Sequence, residues 1–499
     1  MPEASANTIK RLIEISEKGL VQIERSLPFL MKTRQAVLCA IKKQEGKSNI
    51  LDLMLTTLDT LLAEDEVVYD LSSLLDALLR ATDDYTKRYY MQGLNFCFWE
   101  TCQLFVGEGN DEDGLLTKLK NLTKQHHQAG CQLLIQHIID DIQEFRNGYC
   151  DKSLRNITRH YDDPIVMYEK QIELNDIDLF ARGVSQLIAI RMEVSVLTSY
   201  LMSMLFPIMT DLANVPSDTI QTVSRRVGSS KLDLRSTMND VLFKAFRKKD
   251  VREEVQMALS NGHVLLEKSY RLFSSCLALE RVLKEHNILM PNELDKIKYL
   301  IKMRMEAQFL RYDVACSIWG YLNSFSDKER SQNLRLIYIT KQAALTHIYG
   351  YTDDRRDRSL WAAITKIEES DYVKLEKNSV EKRLKELTTN LDEDNETSRK
   401  FAHYRYKHNF YIPSRLESFN KMVHYKELKD AIKLLKICKL LEIYIADLLH
   451  CIDDRQRQSR KKKHDEWRVM IDDLKTKGGD IMKITLKPMM DLIDKIYGE

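Results

Sequence analysis

Glycine and proline are scarce in this 499-residue chain: sixteen and eight, together about 5% against the roughly 12% usual in globular proteins. So few chain breakers, beside abundant Leu, Ile, Lys and Glu, exclude a turn-rich β architecture and predict an all-α, multi-helix protein. Cys-x-x-Cys pairs are absent. The nine cysteines (Cys39, Cys97, Cys102, Cys131, Cys150, Cys276, Cys316, Cys438 and Cys451) are odd in number and scattered. They predict small apolar core residues in a reducing compartment, with neither a disulfide framework nor a zinc site. No sign of charge dominates: 76 Lys and Arg against 74 Asp and Glu leave a net +2, so bulk charge selects no partner. The opening MPEASANTIKRLIEISEKGL lacks the apolar core of a signal peptide. The longest uncharged run, Val194–Thr210, is interrupted by Ser195, Thr198, Ser199, Ser203 and Pro207 and reads as a buried helix, not a membrane span. A soluble, cytoplasmic protein is expected. Because no Cys/His/Asp/Glu cluster shows metal-ligand spacing along the chain, no metal and no other cofactor is expected.

The length allows two to four domains. Residues 8–63 have the apolar spacing of two or three amphipathic helices, and 66–105 continue as helix into an aromatic stretch (Tyr89, Tyr90, Phe96, Phe98, Trp99, Phe105). That cluster shares its helix with Leu94 and Cys97, so core packing is its plain reading. The acidic loop Gly107–Gly114 lacks the ligand register of a calcium loop. One helix is predicted from about Leu115 to Phe145. Asp162-Asp163-Pro164 then caps and opens another, with proline in the first turn. A long apolar helix, Asp176–Phe206, follows. Residues 214–335 offer more helix and no visible chemistry.

The chemistry-bearing stretch is Leu154–Tyr161, LRNITRHY, which holds Arg155, Asn156 and His160 in an Arg-Asn-x-x-x-His pattern. An adjacent Arg and His suit metal-free phosphodiester cleavage. Imidazole moves protons near neutral pH, and guanidinium grips phosphate and stabilises the added negative charge of the transition state. A looser version, Arg399 and His403, occurs in SRKFAHY. The surroundings match as well: an aromatic helix end, an acidic loop, a charged helix, the motif with Tyr161 or Tyr404 after the histidine, a proline, and an apolar helix. The shift is about 243 to 246 residues, which predicts an internal duplication. The expected segments are a helical N-terminal part (1–83), bundle one (84–213), a connector (214–329), bundle two (330–453) and a basic helical tail (454–499).

On Arg155-Asn156-x-x-x-His160 and the flanking order of helices, the chain resembles the HEPN superfamily of small helical bundles, its abortive-infection branch in particular. The resemblance covers 84–213 and 330–453, about half the chain. It implies a metal-independent endoribonuclease in which Arg155 and Arg399 hold the scissile phosphate while His160 and His403 handle protons. The RNA 2′-hydroxyl would be the nucleophile, restricting the substrate to single-stranded RNA and excluding DNA. It further implies a toxin or antiphage effector, with a homodimer or regulatory partner possible and no membrane. The second copy departs from the pattern: three residues separate Arg399 from His403, Lys400 replaces the asparagine, and His408 is an alternative proton carrier. In the tail, Arg455, Arg457, Arg460, Lys461, Lys462 and Lys463 read either as RNA-phosphate contacts or as a solvated helix face. The competing function is a catalytically inactive helical scaffold whose bundles bind protein or RNA.

Overall fold

A computed structural model describes residues 30–39, 41, 49–107, 114–126, 129–155, 163–213, 249–285, 292–324, 327–349, 360 and 427–449. Helix makes up 95% of what is described, and no strand occurs among these residues. The chain is all-α. In order, the helices are α1 (30–39), α2 (Asn49–Arg80), α3 (Asp84–Val106), α4 (Leu115–Gln125), α5 (Ala129–Tyr149), α6 (Pro164–Glu173), α7 (Ile177–Ala213), α8 (Lys249–Glu285), α9 (Asn292–Asn323), α10 (Asp327–Tyr349) and α11 (427–449).

Local chemistry sets the helix ends. Asp83 caps α3 by accepting from Thr86 N (2.8 Å) and Thr86 Oγ1 (2.7 Å). Gly107 closes the same helix at φ 91°, in the left-handed region that glycine occupies without strain. Asp163 caps α6, with Pro164 in its first turn, as expected. The single helix expected over 115–145 is two: α4 stops at Gln125 and α5 starts at Ala129. The break falls in a polar interval, and the two helices pack on each other.

Two cores organise the fold. The first gathers α2, α3, α4, α5 and α7 around Leu62, Leu71, Leu94, Phe98, Ile138, Phe145 and Leu197. The second gathers α6, α8, α9, α10 and α11 around Met167, Leu266, Phe309, Ile337, Leu434 and Ile445. Each buried side chain of this size contributes about 1.5–3 kcal/mol of transfer free energy. The expected boundaries do not separate the cores. Residues 49–80 belong wholly to the first, α8 and α9 are central to the second, and 329/330 falls inside α10. By length and composition Ile177–Leu205 could cross a membrane; one of its faces, through Val184, Leu187, Val194 and Leu201, packs into the first core.

The two halves repeat each other's dimensions. Both α2 and α9 have 32 residues, and Asn292 lies 243 residues after Asn49. Both α3 and α10 have 23, and Asp327 lies 243 after Asp84. The buried faces of α7 and α11 match at a shift of 244: Val184, Leu187, Ile190, Val194, Leu197 and Leu201 correspond to Leu428, Ala431, Leu434, Cys438, Leu441 and Ile445. Matched positions also meet across the halves. Arg80 donates to the carbonyl of Asn323, its own counterpart. Asp70 accepts from Arg335 Nη1 (2.5 Å), and its counterpart Asp313 accepts from the Tyr85 hydroxyl (2.8 Å). Each half thus supplies a partner to the other's aspartate.

Gly320 sits where α3 and α10 converge on α9. A Cβ there would run into both the Tyr90 hydroxyl and the Asn333 carboxamide. Gly320→Ala is expected to lower stability by about 1–3 kcal/mol. Gly130→Ala, with nothing within 4 Å of the added carbon, should stay within about 0.5 kcal/mol of wild type. Denaturant midpoints at unchanged m-value measure both.

Candidate functional site

Arg155 lies in a helical stretch described over 152–155, held against α3. Asp151 caps the turn by accepting from Leu154 N at 3.0 Å. Asn95, on α3, holds the Asp151 backbone from both sides: its Nδ2 donates to the Asp151 carbonyl (3.0 Å), and its Oδ1 accepts from Asp151 N (2.8 Å). Leu154 is buried. From this anchored base the Arg155 guanidinium reaches Glu100 Oε1 at 3.2 Å, both groups being largely shielded. Lys152 lies over the Trp99 ring, 5.8 Å from its centroid.

Asp163, two residues past the motif, is held by the other half. Lys302, on α9, pairs with Asp163 Oδ2 at 2.9 Å. Directly after Asp163, α6 inserts Ile165, Met167 and Tyr168 into the second core. The segment between Arg155 and Asp163 therefore starts on the first core and finishes on the second. Asn156, His160 and Tyr161 fall within that interval and lie outside the described residues. So do Arg399, His403, Tyr404 and His408, and the tail residues Arg455, Arg457, Arg460, Lys461, Lys462 and Lys463. Of the proposed catalytic groups, Arg155 alone is placed.

Two buried polar clusters stand at matched heights in the two cores. In the first, Arg191 on α7 lies 3.7 Å from Glu64 and 3.8 Å from Asp65, both on α2, and Thr198 donates to Glu64 at 3.4 Å. In the second, Glu442 on α11 pairs with Arg311 (2.6 Å) and accepts from Gln308 (3.0 Å), both on α9. The charges have changed sides. A further buried pair, Lys341 with Glu427 at 2.8 Å and Asp430 at 3.3 Å, occupies the place where the first core has Phe98 against Gly183.

No family model, curated protein or solved structure matches this chain. The functional reading therefore rests on the geometry and the resemblance.

Sequence reasoning missed Glu100, Asn95 and Lys302 because each meets its partner across at least fifty-five residues. It also missed His137, Asp141 and Glu193, which α5 and α7 bring together with ligand atoms within 4.8 Å of one another. Six of the eight described cysteines are core residues as expected, whereas Cys150 is half-buried and Cys39 is exposed. Cys97, Cys102, Cys131, Cys276, Cys316 and Cys438 are buried, and none of the described cysteines is in a disulfide.

Burial raises the Glu64 carboxyl from 4.5 to about 8 and Asp65 from 3.8 to about 7, with Arg191 opposing in both cases. A carboxyl with a raised folded-state pKa binds its proton more tightly folded than unfolded. Its contribution is complete below the unfolded value and is lost as pH rises toward the folded one. Glu64→Gln mimics the protonated form at every pH. Between pH 4.5 and about 8, the stability of Glu64→Gln relative to wild type should rise steadily, as read by urea midpoints across that range. A flat difference would show that Glu64 titrates as it does in the unfolded chain.

Proposed function

We propose that this chain is a metal-independent endoribonuclease of the HEPN type, acting on single-stranded RNA in the cytoplasm as a toxin or antiphage effector. One observation supports the reading: Arg155 is held by α3 of the first core and Asp163, eight residues on, by α9 of the second, and helices of the two cores recur at a near-constant shift. Arg399 follows Arg155 by 244 residues and His403 follows His160 by 243, the same shifts that relate the helices on either side. An internal duplication that carries the motif with it supplies two Arg/His pairs from one chain.

In this mechanism Arg155 and Arg399 bind the scissile phosphate and stabilise the extra charge of the pentacoordinate transition state. One histidine, His160 or His403, takes the 2′-hydroxyl proton, and the other protonates the departing 5′-oxygen. The products are a 2′,3′-cyclic phosphate and a 5′-hydroxyl. DNA has no such nucleophile.

A second reading, the inactive scaffold that binds protein or RNA, is favoured by the Arg155–Glu100 pair, because a guanidinium already facing a carboxylate has less to offer a phosphate. The readings part in one assay. Purified protein with EDTA should cut single-stranded RNA and leave DNA intact, and His160→Ala should slow cutting at least about a hundredfold. Glu100→Gln, which releases Arg155, should hold or raise the rate. Absence of cleavage by the folded wild type across varied RNA would leave the scaffold reading standing.

A further inference from the structure

Helices α5 and α7 pack side by side, and one feature of their seam has no role in the mechanism above. His137 and Asp141 stand one turn apart on α5, with His137 Nε2 3.6 Å from Asp141 Oδ2. Glu193 faces them from α7. One ligand atom from each of the three lies within 4.8 Å of the others. The second fact is independent of that spacing: Glu193 Oε2 is out of contact with solvent and has no hydrogen-bond partner among the described residues. A carboxylate oxygen removed from water needs a donor or a cation. Among the described residues, neither Asp141 nor Glu193 pairs with lysine or arginine.

We propose that His137, Asp141 and Glu193 form a zinc(II) site that clamps α5 to α7. One imidazole and two carboxylates are a donor set suited to zinc, whereas magnesium and calcium favour oxygen alone. Zinc bonds of about 2.0–2.2 Å bring tetrahedral ligands to roughly 3.3–3.6 Å from one another, so the three atoms close by about an ångström. His137 is on the surface, its side chain 64% exposed, and is free to make that adjustment. Three protein ligands leave a fourth position to water or an exchangeable donor. The clamp belongs to the first half alone: at the shift that matches α7 to α11, Glu193 corresponds to Ile437, a core residue.

The proposal stands apart from the ribonuclease reading, whose chemistry needs no metal. Metal-stripped full-length protein is titrated with zinc chloride against a chromophoric indicator, and its melting temperature is followed in parallel. The result expected is one zinc per chain and a raised melting temperature, with magnesium giving no comparable rise. His137→Ala and Glu193→Gln should each weaken zinc binding at least about a hundredfold, more than the loss of an outer-shell partner usually costs. Asp141→Asn serves as the third variant should either of these fail to fold, as judged by circular dichroism of the stripped protein. Both variants keep every cysteine, so binding that persists in them places the zinc elsewhere and overturns the proposal. No binding by wild type at about 100 µM zinc, a concentration that would stabilise any fold with micromolar affinity, overturns it equally, as does equal protection by magnesium.

Discussion

Two buried aspartates hold the architecture together. Asp70 on α2 and Asp313 on α9 are both almost fully out of solvent, and each is met by a side chain from the opposite half: Arg335 from α10 and Tyr85 from α3. A carboxylate withdrawn from water without partners is costly, and removing one partner of a buried ion pair typically costs about 3–5 kcal/mol. Through these contacts each half supplies a partner to the other's aspartate. The consequence is reciprocal crossing: Tyr85 of α3 enters the second core, and Leu336 and Ile339 of α10 enter the first. After Arg155, held on the first core, the next described helix, α6, belongs to the second.

Matched positions keep their geometry while exchanging their chemistry. Phe98 packs on Gly183 in the first half, where the second has the Lys341–Glu427 ion pair. The acid–base pair joining α2 to α7 returns between α9 and α11 with the charges on opposite helices. Volume and satisfied polarity are what the packing requires, and more than one residue combination supplies them. The exchange explains why α3 and α10 share only Asp84 and Asp327 as an identical pair in 23 aligned positions, although their lengths and their places in the cores agree.

The helical class was legible from the scarcity of Gly and Pro, and the start of α6 from Asp163-Pro164, because both signals are local. The extent of each core was not. Helices α2 and α3 read as separate segments because their shared contacts with α7 come about eighty or more residues later. The continuous helix expected over 115–145 failed because helical periodicity resumes in phase after the polar interval at 126–128. A stronger sign of repetition does lie in the sequence: GLVQIERS at 19–26 and GHVLLEKS at 262–269 are 243 apart and identical at four of eight positions. The partnership of Arg155 with Glu100 depends on α3 lying beside the motif turn, which no spacing along the chain encodes.

The proposed mechanism requires the two Arg/His pairs to act at one site. Its direct measure is the RNA-cleavage rate of Arg155→Ala, Arg399→Ala and the double variant, each checked for native melting. Groups that act on one transition state are strongly non-additive. A single composite site predicts that each change alone removes nearly all activity and that combining them removes little more. Two rates near half of wild type, with activity vanishing only in the double variant, would mean two independent sites and would contradict the account.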